Sequence, residues 1–159
     1  MRFFVFSDSH GDSRLMRKIA GNADKIDGII FLGDYLRDIE HLQKDFSKLA
    51  FHIVPGNCDF LSPKPLEKLV EIGGEKILIT HGHKYGVKAG YERILTAALQ
   101  MGANAAFFGH SHIPIKSEKN GVILLNPGSI TEPRGNAIRR SYAIIDIDDG
   151  KITPQIIEV

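Results

Sequence analysis

Asp8 and His10, His81 and His83, and His110 and His112 form three pairs, each just after a short apolar run. Two further apolar runs end in Gly33-Asp34 and in Gly56-Asn57-Cys58-Asp59. Five predicted strands therefore deliver carboxylate, imidazole and amide groups at their C-terminal ends, the edge where open α/β sheets build sites. Side chains two apart on a strand share a face, so Asp8 and His10 are expected to aim at one ion, and His110 and His112 likewise. Asp, His and Asn together suit a first-row divalent cation (Mn, Fe, Ni, Co or Zn) better than calcium. Cys58 is the only cysteine, which argues against a structural thiolate zinc site. The candidate ligands Asp8, His10, Asp34, Asn57, His81, His110 and His112 exceed the about three protein groups that one catalytic zinc takes. They suit two adjacent ions, roughly 3.5–4 Å apart, sharing a bridging carboxylate. Two divalent ions bring ~+4 and the two aspartates ~−2, leaving positive charge to hold a hydroxide and a phosphate oxyanion.

Elements that position these groups are readable along the chain. Phe3–Phe6, Ile29–Leu32 and Phe51–Val54 are strand-like. Between them lie a helix over 12–23, with Asp12 or Ser13 as N-cap, and a second over 36–49 through Leu36, Ile39, Leu42, Phe46 and Leu49. Val70–Ile72 and Lys76–Thr80 flank Gly73-Gly74, Ile115–Lys119 and Val122–Leu125 flank Asn120-Gly121, and Ser141–Ile147 and Ile152–Glu158 flank Asp149-Gly150. Each of these reads as a hairpin. A third helix is expected over 87–101, with a strand at Ala105–Phe108 after it. An N-terminal βαβαβ half precedes a half rich in antiparallel strands. Two mixed sheets packed face to face, with helices outside, would bury both apolar faces. Alternation alone leaves a single three-layer sheet open.

A chain of 159 residues is expected to be one domain over 1–159. A charged fraction of 25% beside 43% apolar residues is ordinary for a globular protein. The formal net charge of +1 does not support a general nucleic-acid or membrane-surface binder. The run Phe3–Phe6 is too short for a signal-peptide core, no stretch has the length of a membrane span, and a lone cysteine fits a reducing compartment. Cytoplasm is the expected location.

Asp8-x-His10, Gly33-Asp34, Gly56-Asn57-x-Asp59, His81-Gly82-His83 and Gly109-His110-Ser111-His112 occur in this order. In this the chain resembles the calcineurin-like metallophosphoesterases, and within them the small prokaryotic phosphodiesterase branch, the YfcE-like group. Asn126-Pro127-Gly128-Ser129 followed by Pro133-Arg134 is similar to that branch's C-terminal block, so the resemblance spans residues 8–134. It implies an αββα four-layer sandwich of two mixed β-sheets flanked by helices. It also implies Asp8, His10, Asp34 and His112 on one metal and Asp34, Asn57, His81 and His110 on the other, with Asp34 bridging. A metal-bridging hydroxide would be the nucleophile on a small phosphodiester, and no covalent phosphoenzyme is needed. Asp34, Asn57 and His81 are the catalytic candidates. The cofactor is two divalent ions, Mn²⁺ first, with Ni²⁺, Co²⁺, Fe²⁺ or Zn²⁺ as alternatives. A homodimer or homotetramer fits the resemblance.

Cys58 stands where many relatives carry histidine, so difficult alkoxide leaving groups should react poorly and easy monoester chemistry is disfavoured. His83 and Arg134 are candidate substrate contacts, the guanidinium fork matching phosphate; each has a plain reading, as loop residue and as surface arginine. Asp59 is expected to support the Asn57 loop by hydrogen bonding. His41 reads as solvated and His52 as structural. The competing functions are a non-catalytic, partner-binding scaffold like the retromer subunit of this fold, and a phosphomonoesterase.

Overall fold

Turn chemistry sets the frame of the computed structural model, which describes residues 1–159. The three dipeptides expected to reverse the chain do so, each with both residues at positive φ: Gly73-Gly74 (59° and 84°), Asn120-Gly121 (55° and 76°) and Asp149-Gly150 (46° and 70°). That left-handed pair matches the twist of the strands it joins. The hairpins are β4 (Glu67–Ile72) with β5 (Glu75–Thr80), β7 (Ile115–Lys119) with β8 (Val122–Asn126), and β9 (Ser141–Asp148) with β10 (Lys151–Glu158).

The remaining strands are β1 (Arg2–Phe6), β2 (Gly28–Phe31), β3 (Ala50–Ile53) and β6 (Ala105–Phe107). Two five-stranded sheets result, in the orders β10-β9-β1-β2-β3 and β4-β5-β6-β8-β7. In the first, β1, β2 and β3 run parallel, with Phe4 opposite Ile29 and Ile29 opposite Phe51. In the second, β5, β6 and β8 run parallel. β9 and β10 join the first sheet antiparallel, as β4 and β7 join the second, so both sheets are mixed.

Period-two alternation sorts the side chains. Phe3, Val5, Ile30 and Leu32 meet Ile77, Ile79, Phe107 and Leu125 in a core between the sheets. Phe4, Phe6, Ile29 and Phe31 face outward, under Met16, Leu36, Ile39 and Leu42 of α1 (Arg14–Gly21) and α2 (Leu36–Asp45). Leu78, Ala106, Phe108 and Leu124 face the other way, under Ile94, Leu95 and Ala98 of α3 (Glu92–Gln100). Both faces of both sheets are covered. This four-layer sandwich is the αββα arrangement expected, and it excludes the three-layer sheet that alternation had left open.

Helix ends moved inward. The expected helix over 87–101 starts only at Glu92. A short 3₁₀ turn at His83–Tyr85 comes first, and Gly86 and Gly90 at φ 64° and 157° break the path between them. Val87 is buried as its hydropathy demanded, but from a turn. The second helix stops at Asp45, and Phe46 and Leu49 pack on its core from the turns beyond. At the first helix Ser13 occupies the cap position without a side-chain bond; Asp12 Oδ1 accepts the Arg14 N–H instead, at 3.0 Å. No helix is long and apolar enough to cross a membrane.

Candidate metal centre

Five loops leave the C-terminal ends of β1, β2, β3, β5 and β6, and each carries one of the expected groups. The side chains converge, although not by the route that spacing suggested. β1 ends at Phe6 and β6 at Phe107, so neither histidine-bearing pair stands on a strand. Asp8, His10, Asp34, His110 and His112 take left-handed backbone at φ 56°, 43°, 63°, 66° and 59°. Each such residue without glycine's freedom costs about 1–2 kcal/mol, strain of the kind found at functional sites. The only other non-glycine residues in that region are Tyr35, beside Asp34, and the turn residues Asn120 and Asp149.

This backbone separates His110 from His112. The His112 ring packs on His10 at 5.0 Å between centroids, and the His110 ring on His81 at 5.0 Å. The expectation that spacing aims His110 and His112 at one ion is therefore replaced by two imidazole groups facing each other across the cleft.

Carboxylates lie between them. Asp8 Oδ1 is 3.1 Å from His112 Nε2 and 3.9 Å from both His10 Nε2 and His81 Nε2. Asp34 Oδ2 is 3.8 Å from His10 Nε2 and 3.5 Å from His81 Nε2. Ligand atoms of Asp8, His10 and His112 fall within 4.8 Å of one another, as do those of Asp8, Asp34 and His81 and those of His10, Asp34 and Cys58. His110 belongs to none of these groups. It touches the centre through its ring contacts with His81 and His83, and its backbone N–H donates to Asp8 Oδ2 at 3.1 Å.

The donor set tests whether metal fits. His81 Nδ1 lies 2.7 Å from the Leu32 carbonyl and His112 Nδ1 2.6 Å from the Glu132 carbonyl. A carbonyl only accepts, so each Nδ1 carries the proton and each Nε2 turns its lone pair inward. Nε2 of His81 then meets Asn57 Oδ1 at 3.1 Å, and Nε2 of His112 meets His10 Nε2 at 3.2 Å. Asp8 Oδ1 is buried without a hydrogen-bond partner, its 3.1 Å approach to His112 being misaligned for one. Acceptors crowding acceptors at this range repel unless a proton or a cation lies between them. The residues fit divalent cations.

Proton affinity follows the same layout. Burial opposes the charge on Asp8, yet His112, His81 and Ser7 outweigh it and hold the carboxyl below its ordinary range. Burial would lower His112, but Asp8 raises it. Burial, then neighbouring His81, pushes His110 down to about 4.

Ser7 and Thr131 are supports with no signature of their own in the sequence. Ser7 donates to Asp8 Oδ2 at 2.6 Å, and Ser129 and Thr131 hydroxyls donate to the Asp8 carbonyl at 2.8 and 2.9 Å. Asn126 Nδ2 donates to the Gly109 carbonyl and to Ser111 Oγ at 2.8 and 2.9 Å, so the Asn126–Ser129 block shapes the wall of the site. Asp59 does more than support the Asn57 loop. Its carboxylate accepts the backbone N–H of Asp34, Tyr35, Leu36 and Gly56, at 2.9–3.1 Å. Gly56 itself leaves no room for a Cβ, which would strike Asp34 Oδ1.

Arg134 does not reach the cluster. Its guanidinium lies 3.5 Å from Glu132, and its backbone N–H donates to the His112 carbonyl. His83 sits at the rim beside His110, its Nδ1 buried without a partner. His41 is exposed, and His52 packs near Phe3. A surface cavity of about 700 Å³ lies against α1 and β9 and shares no residue with the cluster.

Comparison with known proteins places this geometry in context. Residues 1–150 match the calcineurin-like phosphoesterase superfamily domain. The probable metallophosphoesterase YsnB of Bacillus subtilis (strain 168) is 35% identical over 156 residues, covering 96% of this chain and 88% of its own. The crystal structure of a predicted phosphoesterase from Streptococcus pneumoniae TIGR4 superimposes with a TM-score of 0.85 at 31% identity, over 99% of this chain and 88% of that one. The phosphodiesterase YfcE of Escherichia coli (strain K12) is 28% identical over 104 residues, 60% of this chain and 52% of its own.

Proposed function

The chain belongs to the calcineurin-like phosphoesterase superfamily, and from that premise we propose that it is a phosphodiesterase working through two divalent metal ions. The convergence of acceptors from five loops around the partnerless Asp8 Oδ1 and around Asp34 Oδ2 carries the proposal. Asp8, His10, Asp34 and His112 would hold one ion. Asp34, Asn57, His81 and His110 would hold the other, with Asp34 shared. Bound there, two divalent ions would supply a water of lowered pKa as nucleophile and would neutralise charge on the phosphate. Mn²⁺ stands first among the candidates, before Ni²⁺, Co²⁺, Fe²⁺ and Zn²⁺.

The protein's part is to fix geometry and to keep protons off the inward atoms. Leu32 and Glu132 carbonyls set the tautomers of His81 and His112. Asp59 locks the backbone of Asp34. The bonded network holds these groups in place before substrate arrives, which lowers the reorganisation needed during reaction. His83, beside His110, is the candidate contact for a phosphate oxygen. Arg134 would have to leave Glu132 to do so.

Cys58 bears on the substrate. Burial first, then the Asp34 carboxylate 3.3 Å from its Sγ, push the thiol up to about 11. At neutral pH it is a protonated thiol and a poor acid. Leaving groups of low basicity, which need no proton, are therefore favoured. The test is turnover of a phosphodiester by Asp34→Asn and Asn57→Ala with metal supplied. Both should lose nearly all activity; unchanged turnover in either contradicts the proposal.

A further inference from the structure

Behind the cluster stands a buried carboxylate that the chemistry above does not use. Asp38 lies in the first turn of α2 and is 6% exposed. Its Oδ2 accepts the Ser9 hydroxyl at 2.7 Å and the Gly11 N–H at 2.9 Å. These two residues flank His10. Ser9 Oγ also lies 3.3 Å from the Asp34 carbonyl, so one short network ties the β1 loop to the β2 loop.

His10 needs such a brace more than His81 and His112 do. His81 and His112 each have a ring nitrogen fixed by a backbone carbonyl. The His10 ring has no carbonyl on it: it faces the His112 nitrogen at 3.2 Å, the Asp8 and Asp34 carboxylates at 3.9 and 3.8 Å, and the edge of Tyr35, 5.4 Å between centroids. Its backbone sits at φ 43° and Gly11 follows at φ 91°, two successive residues in left-handed conformation. Nothing in the ring's own contacts holds that turn against relaxation. Asp38 grips it from both sides.

An acidic residue in the first turn is also favoured by the helix dipole. That effect needs no burial and no bond to another loop. Burying a carboxylate is costly unless hydrogen bonds compensate it, and here both compensating donors come from the loop that presents His10.

We infer that Asp38 is the positioning residue for His10, holding the Ser9–Gly11 turn in the conformation that aims the imidazole at the centre and so setting the affinity of one metal position. The inference rests on the reading of His10 as a metal ligand. Carboxylates behind metal-bound histidines commonly set ligand orientation, and their loss costs about 10- to 100-fold in metal affinity or activity.

The test uses Asp38→Ala and Asp38→Asn in the full chain. Asparagine keeps one oxygen that can accept from both Ser9 and Gly11; alanine keeps none. Chelator-stripped protein is titrated calorimetrically with Mn²⁺, and exchange of the Gly11 amide is followed by NMR. Wild type should take two ions. Asp38→Ala should also take two, one of them about 10- to 100-fold more weakly, and Asp38→Asn should stay close to wild type. Diester turnover by Asp38→Ala should fall at limiting Mn²⁺ and recover with excess, through kcat and with KM for the diester unchanged. Gly11 amide protection should be lost in Asp38→Ala and kept in Asp38→Asn. Wild-type affinities in Asp38→Ala, or an activity loss that neither excess Mn²⁺ nor asparagine rescues, overturn the inference. If wild type binds no ion, the metal reading itself fails and the inferred role in affinity is overturned with it; the amide data then show only whether Asp38 holds the turn.

Discussion

His81 and Asn57 meet through atoms that both accept: Nε2 of the imidazole lies 3.1 Å from Oδ1 of the amide, because Nδ1 of His81 is committed to the Leu32 carbonyl at 2.7 Å. Left alone, that pairing is repulsive; around a cation it is a ligand pair. Replacing Asn57 with alanine should relieve the repulsion and yet abolish one metal position. Affinity there should fall by more than the roughly 10- to 100-fold that loss of an outer partner costs, measured by calorimetry. Full retention of both ions would remove Asn57 from the ligand set.

The same reasoning predicts that metal stabilises the fold. At a hundred times Kd a ligand that binds only the folded chain adds about 2.7 kcal/mol. In a chain of 159 residues that raises Tm by roughly 5–10 °C. Thermal melts of chelator-treated protein with and without Mn²⁺ measure it. An unmoved Tm at saturating metal would mean that the acceptors do not share a cation.

Protonation supplies a prediction of known sign for chelator-treated protein. Burial first, then His81 and Lys88, lowers His110 from 6.5 to about 4. Burial lowers His52 and His83 as well. Each takes up its proton more readily when unfolded, so this part of the stability is lost as pH falls from 6.5 toward about 4. His112 runs the other way: its contribution is complete below 6.5 and is lost as pH rises through its raised value. Asp8, held below 3.8, gives way only at lower pH still. Three lowered histidines against one raised should make the urea midpoint drop with acid over this window. His110→Asn should flatten the drop. An unchanged slope would place His110 outside the buried network.

Gly56 offers a steric test. A Cβ there would collide with Asp34 Oδ1 and the Asp34 backbone nitrogen. Gly56→Ala should cost about 1–3 kcal/mol, as overpacking does, and weaken metal binding by displacing Asp34. Urea unfolding and calorimetry read the two effects. An alanine variant with wild-type stability and affinity would show that the β3 loop yields freely.

Sequence disclosed the frame of this molecule better than the joints of its site. The three hairpins were legible because Gly73-Gly74, Asn120-Gly121 and Asp149-Gly150 have little else to do. The continuous apolar runs of β1 and β2 marked strands buried on both faces, but only the packing of Phe3 and Phe107 into one core decided for two sheets over one. Helix periodicity ran across Gly90 because Val87 remained apolar and buried in a turn. The residues of the centre were legible as types in order. Their sorting was not: strand spacing pairs His110 with His112, whereas left-handed backbone at both sends them to opposite sides. Asp38 and Ser7 carried no signal, since an aspartate on an amphipathic helix and a serine after a strand look like ordinary surface residues until the loops close over them.

Hydrolysis by chelator-stripped protein tests the two-metal phosphodiesterase most directly. A chromogenic phosphodiester and the matching monoester are supplied in parallel, with Mn²⁺, Ni²⁺, Co²⁺, Zn²⁺ or Mg²⁺ added back singly. The convergent acceptors predict no turnover without metal and restored turnover with Mn²⁺, and the phosphodiesterase reading predicts that it falls on the diester with little on the monoester. Bound metal without turnover of either ester, or turnover that chelation does not touch, would contradict it.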